Sequence, residues 1–194
     1  MQCDSGLRSA LCFGQPSLGG TPLCELVQEY IDYCRPVARR ELDFFARQPF
    51  ARAIEYAALC LDSSGGRSSH QWRRSQSTLQ EARDVLLRQS RQLMCCGSFS
   101  ELHALIDRLV AHIPDLGPLY SYDAAFNIGA NLGLAADAVY LHCGSREGAR
   151  ALGLPFRQST LQKSSLPAAL RKLAMHEVED FLCIFKSRLN ASIA

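Results

Sequence analysis

Three groups of residues in this chain have types and spacings that could carry chemistry. Asp123 and His142 are the first. An aspartate lifted by burial and within reach of a histidine would make an acid–base pair, with Tyr140 a third candidate in the same cleft. Equally, Asp123 suits the first turns of a helix through the dipole, and His142 suits a satisfied structural position. The second group is His176, Glu177, Glu179 and Asp180. His176 and Asp180 share a helical face, as two metal ligands would, but Glu179 falls on another face. Beside core-facing Val178, Phe181 and Leu182, these residues are expected to form a charged outer face, and no metal or other cofactor is assigned.

The third group is the nine cysteines, an odd number without a C-x-x-C pair. Zinc ribbons, thioredoxin-type motifs and closely spaced iron–sulfur clusters all lack their spacing. Cys60 and Cys183 lie in apolar helical patterns and read as small buried hydrophobes. Adjacent Cys95 and Cys96 read as a helix end rich in small residues, with a redox pair as the other reading. Reduced thiols point to a reducing, cytoplasmic setting.

Two stretches bear on binding. His70, Trp72, Arg73 and Arg74 follow a flexible Ser/Gly loop, and an aromatic ring with arginines could stack a base and hold a phosphate. Trp72 could equally anchor a helix while the arginines face water. The second stretch runs Ile113-Pro114-Asp115-Leu116-Gly117, followed at once by a helix at Pro118 and Leu119. Gly117 has no Cβ, so the backbone could turn tightly and an anion approach closely. A helix starting there offers unsatisfied N–H groups and the positive end of its dipole. Leu116, Gly117 and Leu119 are therefore binding candidates for backbone phosphates, with Arg146 and Arg150 as further phosphate partners.

The elements that must position these residues are helical. The chain has 194 residues, 47% of them hydrophobic, and a formal net charge of +2. That excludes a disordered chain and a collagen-like repeat, and the charge alone does not mark a nucleic-acid binder. Of 21 basic residues 18 are arginine, which permits phosphate recognition and also fits a GC-rich genome. No apolar run is long enough to span a membrane, and the opening MQCDSGLRSALCFGQ does not read as a signal peptide. Residues 1–20 are expected to form a loose arm. From Thr21-Pro22, an N-cap with proline at the first helical position, one helical domain of seven to nine helices is predicted over 21–194. Pro36 and Pro49 should divide 22–35, 36–47 and 49–62, and Ser63–Ser69 is a loop. A polar helix is predicted over 70–94.

Ser98 and Glu101 have capping-box spacing before a stripe of Leu102, Leu105, Ile106, Leu109, Val110 and Ile113. Ser145 should cap a short helix to Leu152, and Pro167 should open the last one. Its buried stripe would be Leu170, Leu173, Val178, Phe181, Leu182, Phe185 and Leu189. The only strand candidate is Ala138–Leu141. The fold class is all-α, a single compact domain.

From Leu105 to Gly153 the chain resembles the helix-hairpin-helix DNA glycosylase superfamily, with the hairpin element at about 99–132. Pro114–Gly117 stands for the hairpin, and Val139-Tyr140-Leu141-His142-Cys143 for that family's Val-Asp-x-His-Val segment. Arg146–Leu154 resembles the following helix, which commonly ends in Arg-Leu-Gly-Leu. A looser helical likeness runs from Phe50 to Leu182. The resemblance implies DNA binding through backbone phosphates, and it places the helix carrying His70–Arg74 near a substrate pocket. Tyr140 stands where that family has its catalytic aspartate, and Leu119, Tyr120 and Ser121 stand where lyase members carry lysine. Asp115 replaces the hairpin's first glycine, and Cys183 alone follows Cys143, so the family's C-terminal iron–sulfur cluster has no counterpart. Conventional base excision, which needs a carboxylate or an amine nucleophile, is therefore not expected.

Three functions follow as expectations. One is nucleic-acid binding on a glycosylase-like helical scaffold. Another is a protein-interaction or regulatory domain, or homo-oligomer, contacting partners through Leu23, Leu26 and Tyr30. The last is an enzyme using Asp123, His142 or Tyr140.

Overall fold

The computed structural model describes residues 21–67 and 74–191; the predicted arm at 1–20 and the candidates His70, Trp72 and Arg73 lie outside the described residues. The all-α class is what the chain shows. Helices carry nearly all the regular structure, and the one sheet among the described residues has two strands of two residues each.

Helix α1 (Leu23–Glu29) starts after Pro22, whose missing amide matters little at a helix start. The break predicted at Pro36 does not occur. A π turn over Tyr30–Cys34 leads directly into α2 (Arg35–Arg47), with the Arg35 amide donating to the Tyr30 carbonyl five residues back. The wider turn gives room for a proline ring that would clash with a carbonyl inside an ordinary helix. Pro49 does stop the chain, as N-cap of α3 (Phe50–Ala58). That helix ends four residues before its predicted limit because Cys60 takes φ +55°. Asp62 then gathers the loop, accepting from the amides of Ser64 and Gly66 at 2.9 and 3.0 Å.

The start of the predicted polar helix lies outside the described residues; within them α4 (Gln76–Arg88) begins after Ser75, whose Oγ accepts from the Thr78 amide. Gln89 leaves helical geometry, which separates α4 from the short α5 (Ser90–Met94). Helix α6 (Phe99–Val110) has its predicted cap: Ser98 Oγ accepts from the Glu101 amide at 3.2 Å. The Glu101 carboxylate returns to the Gly97 amide rather than to Ser98. Helix α7 (Pro118–Leu132) follows the bend, then β1 (Val139–Tyr140), α8 (Cys143–Ala151), β2 (Thr160–Leu161) and α9 (Met175–Ala191).

These elements fall into two compact units, Arg39–Asp137 and a two-segment unit of Met1–Ala38 with Ala138–Ala194. In the mid-chain unit α7 packs against α6 and α3, and α4 against α3. The α6 stripe is buried at Leu102, Leu105, Ile106, Val110 and Ile113, while Leu109 is half-buried. Asn131, which the sequence did not single out, donates from Nδ2 to the carbonyls of Phe45 and Gln48, both at 2.8 Å. It thereby ties α7 to the end of α2, where the Phe45 carbonyl also accepts from the Gln48 amide.

In the two-segment unit β1 pairs antiparallel with β2, Val139 opposite Leu161 and Tyr140 opposite Thr160. Pro167 opens a short turn rather than the last helix, and α9 begins eight residues later. Its predicted stripe from Leu170 to Leu189 is buried throughout. Leu26 and Tyr30, expected as exposed contact residues with Leu23, are fully buried instead, and Leu23 is half-buried. Tyr30 sets its ring edge against Phe181 at 6.1 Å and donates its hydroxyl to Asp180.

The closest approach in this unit is between α8 and α9. A Cβ on Gly148 would lie 2.2 Å from the Leu182 carbonyl oxygen and 2.8 Å from its carbon. Backbone meets backbone there, so neither side can swing away. Gly148→Ala should cost about 3 kcal/mol, the upper end of ordinary overpacking, read as a lowered urea midpoint. An unchanged midpoint would mean that the two helices are not packed this closely.

Candidate functional site

Three consecutive features build the bend between α6 and α7. After Val110 the chain winds once more, with the Ile113 amide donating to the Val110 carbonyl at 2.9 Å. Asp115 then takes φ +65°, and Gly117, at φ −118° and ψ −174°, is the N-cap of α7. Sequence reasoning assigned the tight turn to Gly117. The left-handed residue is Asp115 instead, the position where the resemblance expects the first glycine. Aspartate tolerates that region better than most residues, at a cost of roughly 1 kcal/mol relative to the right-handed form.

Gly117 is extended, and a Cβ there would meet nothing within 4 Å. Its lack of a side chain therefore leaves the peptide open rather than permitting the turn. Buried Ile113 and half-buried Leu116 anchor the two sides. The amides of Tyr120 and Ser121 both donate to the Gly117 carbonyl, and Pro118 has none to offer. Those of Gly117 and Leu119 make no hydrogen bond among the described residues. Two amides thus remain for an acceptor at the positive end of a 15-residue helix. Ser121 Oγ donates to Asp107 at 2.8 Å and fixes the start of α7 to α6. Exposed Arg108 and His112 border the bend on the α6 side. Sequence reasoning passed over both, although the place of His112 just before Ile113 and Pro114 was a usable signal.

Behind the bend lies a buried cluster in the same unit. Tyr120 donates its hydroxyl to the Ala58 carbonyl at 2.9 Å, and the Arg74 guanidinium stands 5.8 Å over its ring. Arg67 donates to the Arg74 carbonyl and to Gln76. Cys60 is buried, as its apolar setting predicted. Burial, then the nearby Asp123 carboxylate, pushes its thiol up to about 12 against the opposing charges of Arg74 and Arg67. The Tyr120 hydroxyl is also pushed up, by burial first and Cys60 second. Both groups stay protonated at neutral pH, so neither is a nucleophile or a base there.

The remaining candidates belong to the two-segment unit, so Asp123 and His142 stand in different units, each with its own surroundings. Tyr140 is a ladder residue of β1. His142, rather than Ser145, is the N-cap of α8, and the His142 amide donates to Ser145 Oγ at 2.9 Å. Arg146, assigned to phosphate from sequence, has another task. Its guanidinium donates to the carbonyls of Leu141, Gln158 and Phe156, clamping the strand and loop around α8. Arg150, one turn later, is exposed.

The predicted charged face of α9 also needs correction at Glu177. It is buried, paired with Arg35 through Nε at 2.7 Å and a terminal nitrogen at 2.8 Å. Its Oε2 also accepts from the Ala174 amide and so caps α9. Among the described residues no three metal-ligating side chains come together.

No family model matches the chain, and neither a curated protein nor a solved structure matches it.

Burial alone would raise Glu177, but the Arg35 hydrogen bonds, the Ala174 amide and the nearby positive charge outweigh it and hold the carboxyl below its usual range. A depressed folded value contributes stability that is complete above the unfolded value, about 4.3, and fades as pH falls through the folded one. The stability advantage of the native chain over Glu177→Gln should therefore shrink steadily as urea unfolding is repeated below about pH 4. A gap independent of pH would show that the pair contributes no linked charge.

Proposed function

We propose that this chain binds the sugar–phosphate backbone of nucleic acid at the α6–α7 bend, without conventional base-excision activity. The observation that carries the reading is the open peptide at Gly117. Two amides there make no hydrogen bond among the described residues, at the positive end of α7, and a Cβ on Gly117 would meet nothing within 4 Å. Such a site recognises phosphate and reads no base, so binding should be insensitive to sequence. Asp115, Leu116 and Leu119 shape this surface, and exposed Arg108, in the last turn of α6, adds a positive charge on that side of the bend. The positive φ of Asp115, at the place of the hairpin's first glycine, supports the resemblance to helix-hairpin-helix glycosylases. The missing aspartate and lysine argue that binding rather than excision is the retained activity. The described cysteines are all thiols, which fits a cytoplasmic setting.

A protein-partner reading is favoured by one observation, the exposure of Tyr33 at 61% on the π turn. The enzyme reading has less support, because His142 serves as a helix cap and Tyr140 as a strand residue.

Fluorescence anisotropy with labelled duplex and single-stranded DNA, at two salt concentrations, tests the proposal. Affinity should fall steeply with salt as counterions are released. Gly117→Asp places a favoured N-cap residue at the start of α7, so it should keep or slightly raise the melting temperature. Its carboxylate would repel phosphate and occupy the amides, weakening DNA binding about tenfold or more. Asp115→Gly should do the opposite twice over. It relieves the left-handed backbone, raising stability by about 1 kcal/mol, and it strengthens DNA binding by removing a negative charge. Salt-insensitive binding, or Gly117→Asp binding like the native chain, would refute the proposal.

A further inference from the structure

We infer that Cys143 and Cys183 form an oxidation-responsive thiol pair that closes into a disulfide across α8 and α9. Far apart in sequence, the two residues lie on helices that pack against each other in the two-segment unit, with Cys183 against Gly144, the neighbour of Cys143. Cys143 is the first residue of α8 and is exposed, while Cys183 lies on α9 and is half-buried. The sulfur of Cys183 sits 2.5 Å from where a Cβ on Gly144 would stand, and its own Cβ is 3.6 Å from that point. Glycine at 144 is what lets the sulfur rest against the first turn of α8, at the residue after Cys143. Lys186 Nζ is 3.6 Å from the same point and also pairs with Glu147 at 3.4 Å. Positive charge beside a thiol aids its oxidation, because the thiolate is the reacting form. The α8 start adds the positive end of a helix.

The chemistry balances with a hydroperoxide as oxidant. Cys143, the exposed thiol, takes one oxygen from hydrogen peroxide to become a sulfenic acid, and one water leaves. The Cys183 thiolate then attacks the Cys143 sulfur. The S–S bond forms, the S–O bond breaks, and the departing hydroxide leaves as a second water with the proton released from Cys183. Both sulfurs are oxidised and the peroxide is reduced. The link fastens the start of α8 to the middle of α9, and a thiol reductant reopens it. Elsewhere among the described residues, Cys60 is buried and held protonated, and adjacent Cys95 and Cys96 would have to close a strained ring between neighbours.

The full chain treated with hydrogen peroxide, blocked with an alkylating agent and digested without reduction tests the pair by mass spectrometry. The expected product is a cross-linked peptide joining Cys143 to Cys183, lighter by two hydrogens, with alkylation lost at both positions and restored by dithiothreitol. In Cys183→Ser, Cys143 should stop at the sulfenic acid and become trappable by dimedone. In Cys143→Ser, whose exposed position tolerates the change, the cross-link should vanish without loss of melting temperature. Oxidation confined to a Cys95–Cys96 link would overturn the inference. So would mixed links of Cys143 to several cysteines, or full alkylation of Cys143 and Cys183 after peroxide.

Discussion

Two helices with apolar stripes bury them against each other only if the chain between them reverses within a few residues. In the mid-chain unit that constraint falls on Asp115, the residue held at φ +65° between α6 and α7. Its backbone turns the chain so that Ile113 finishes the α6 stripe while Tyr120 already begins the α7 core. Gly117 is then left as a bare, extended peptide at the head of a helix. The strain sits at one residue, and the open amides appear two residues later. A short turn that buried the same stripes with a larger residue at 117 would place a side chain over that peptide.

The two-segment unit is governed by close backbone approach rather than by a turn. Gly148 lets α8 lie on the Leu182 carbonyl, and Gly144 gives the Cys183 sulfur its place. With the helices so near, the side chains around them become fastenings. Arg146 ties three carbonyls, His142 and Ser145 cap α8, and Glu177 joins Arg35 to the start of α9. Several residues that look chemical in sequence are therefore structural. An arginine that satisfies three backbone acceptors has few donors left for a ligand.

Periodic burial was the readable part of this sequence. The stripes of α6 and α9, the stop at Pro49 and the Ser98 cap are local patterns of residue type, and they appear almost where they were expected. What failed needed information from far along the chain. Pro36 sits in a helix because a π turn precedes it, and nothing in residues 30–36 announces that widening. Glu177 is buried because Arg35, distant in sequence, meets it. Strand β2 exists only as the partner of β1 and has no pattern of its own. The bend was legible from Pro114 to Gly117, but its mechanics were not. Glycine drew attention, while the left-handed conformation went to aspartate, which a residue-type reading ranks second.

The central claim concerns two backbone amides, so an amide-resolved measurement tests it most directly. In a 15N–1H titration with a short DNA duplex at low salt, the Gly117 and Leu119 resonances should move first and furthest. Raising the salt should return both toward their free positions. Largest shifts on some other surface, with Gly117 and Leu119 unmoved, would contradict the account.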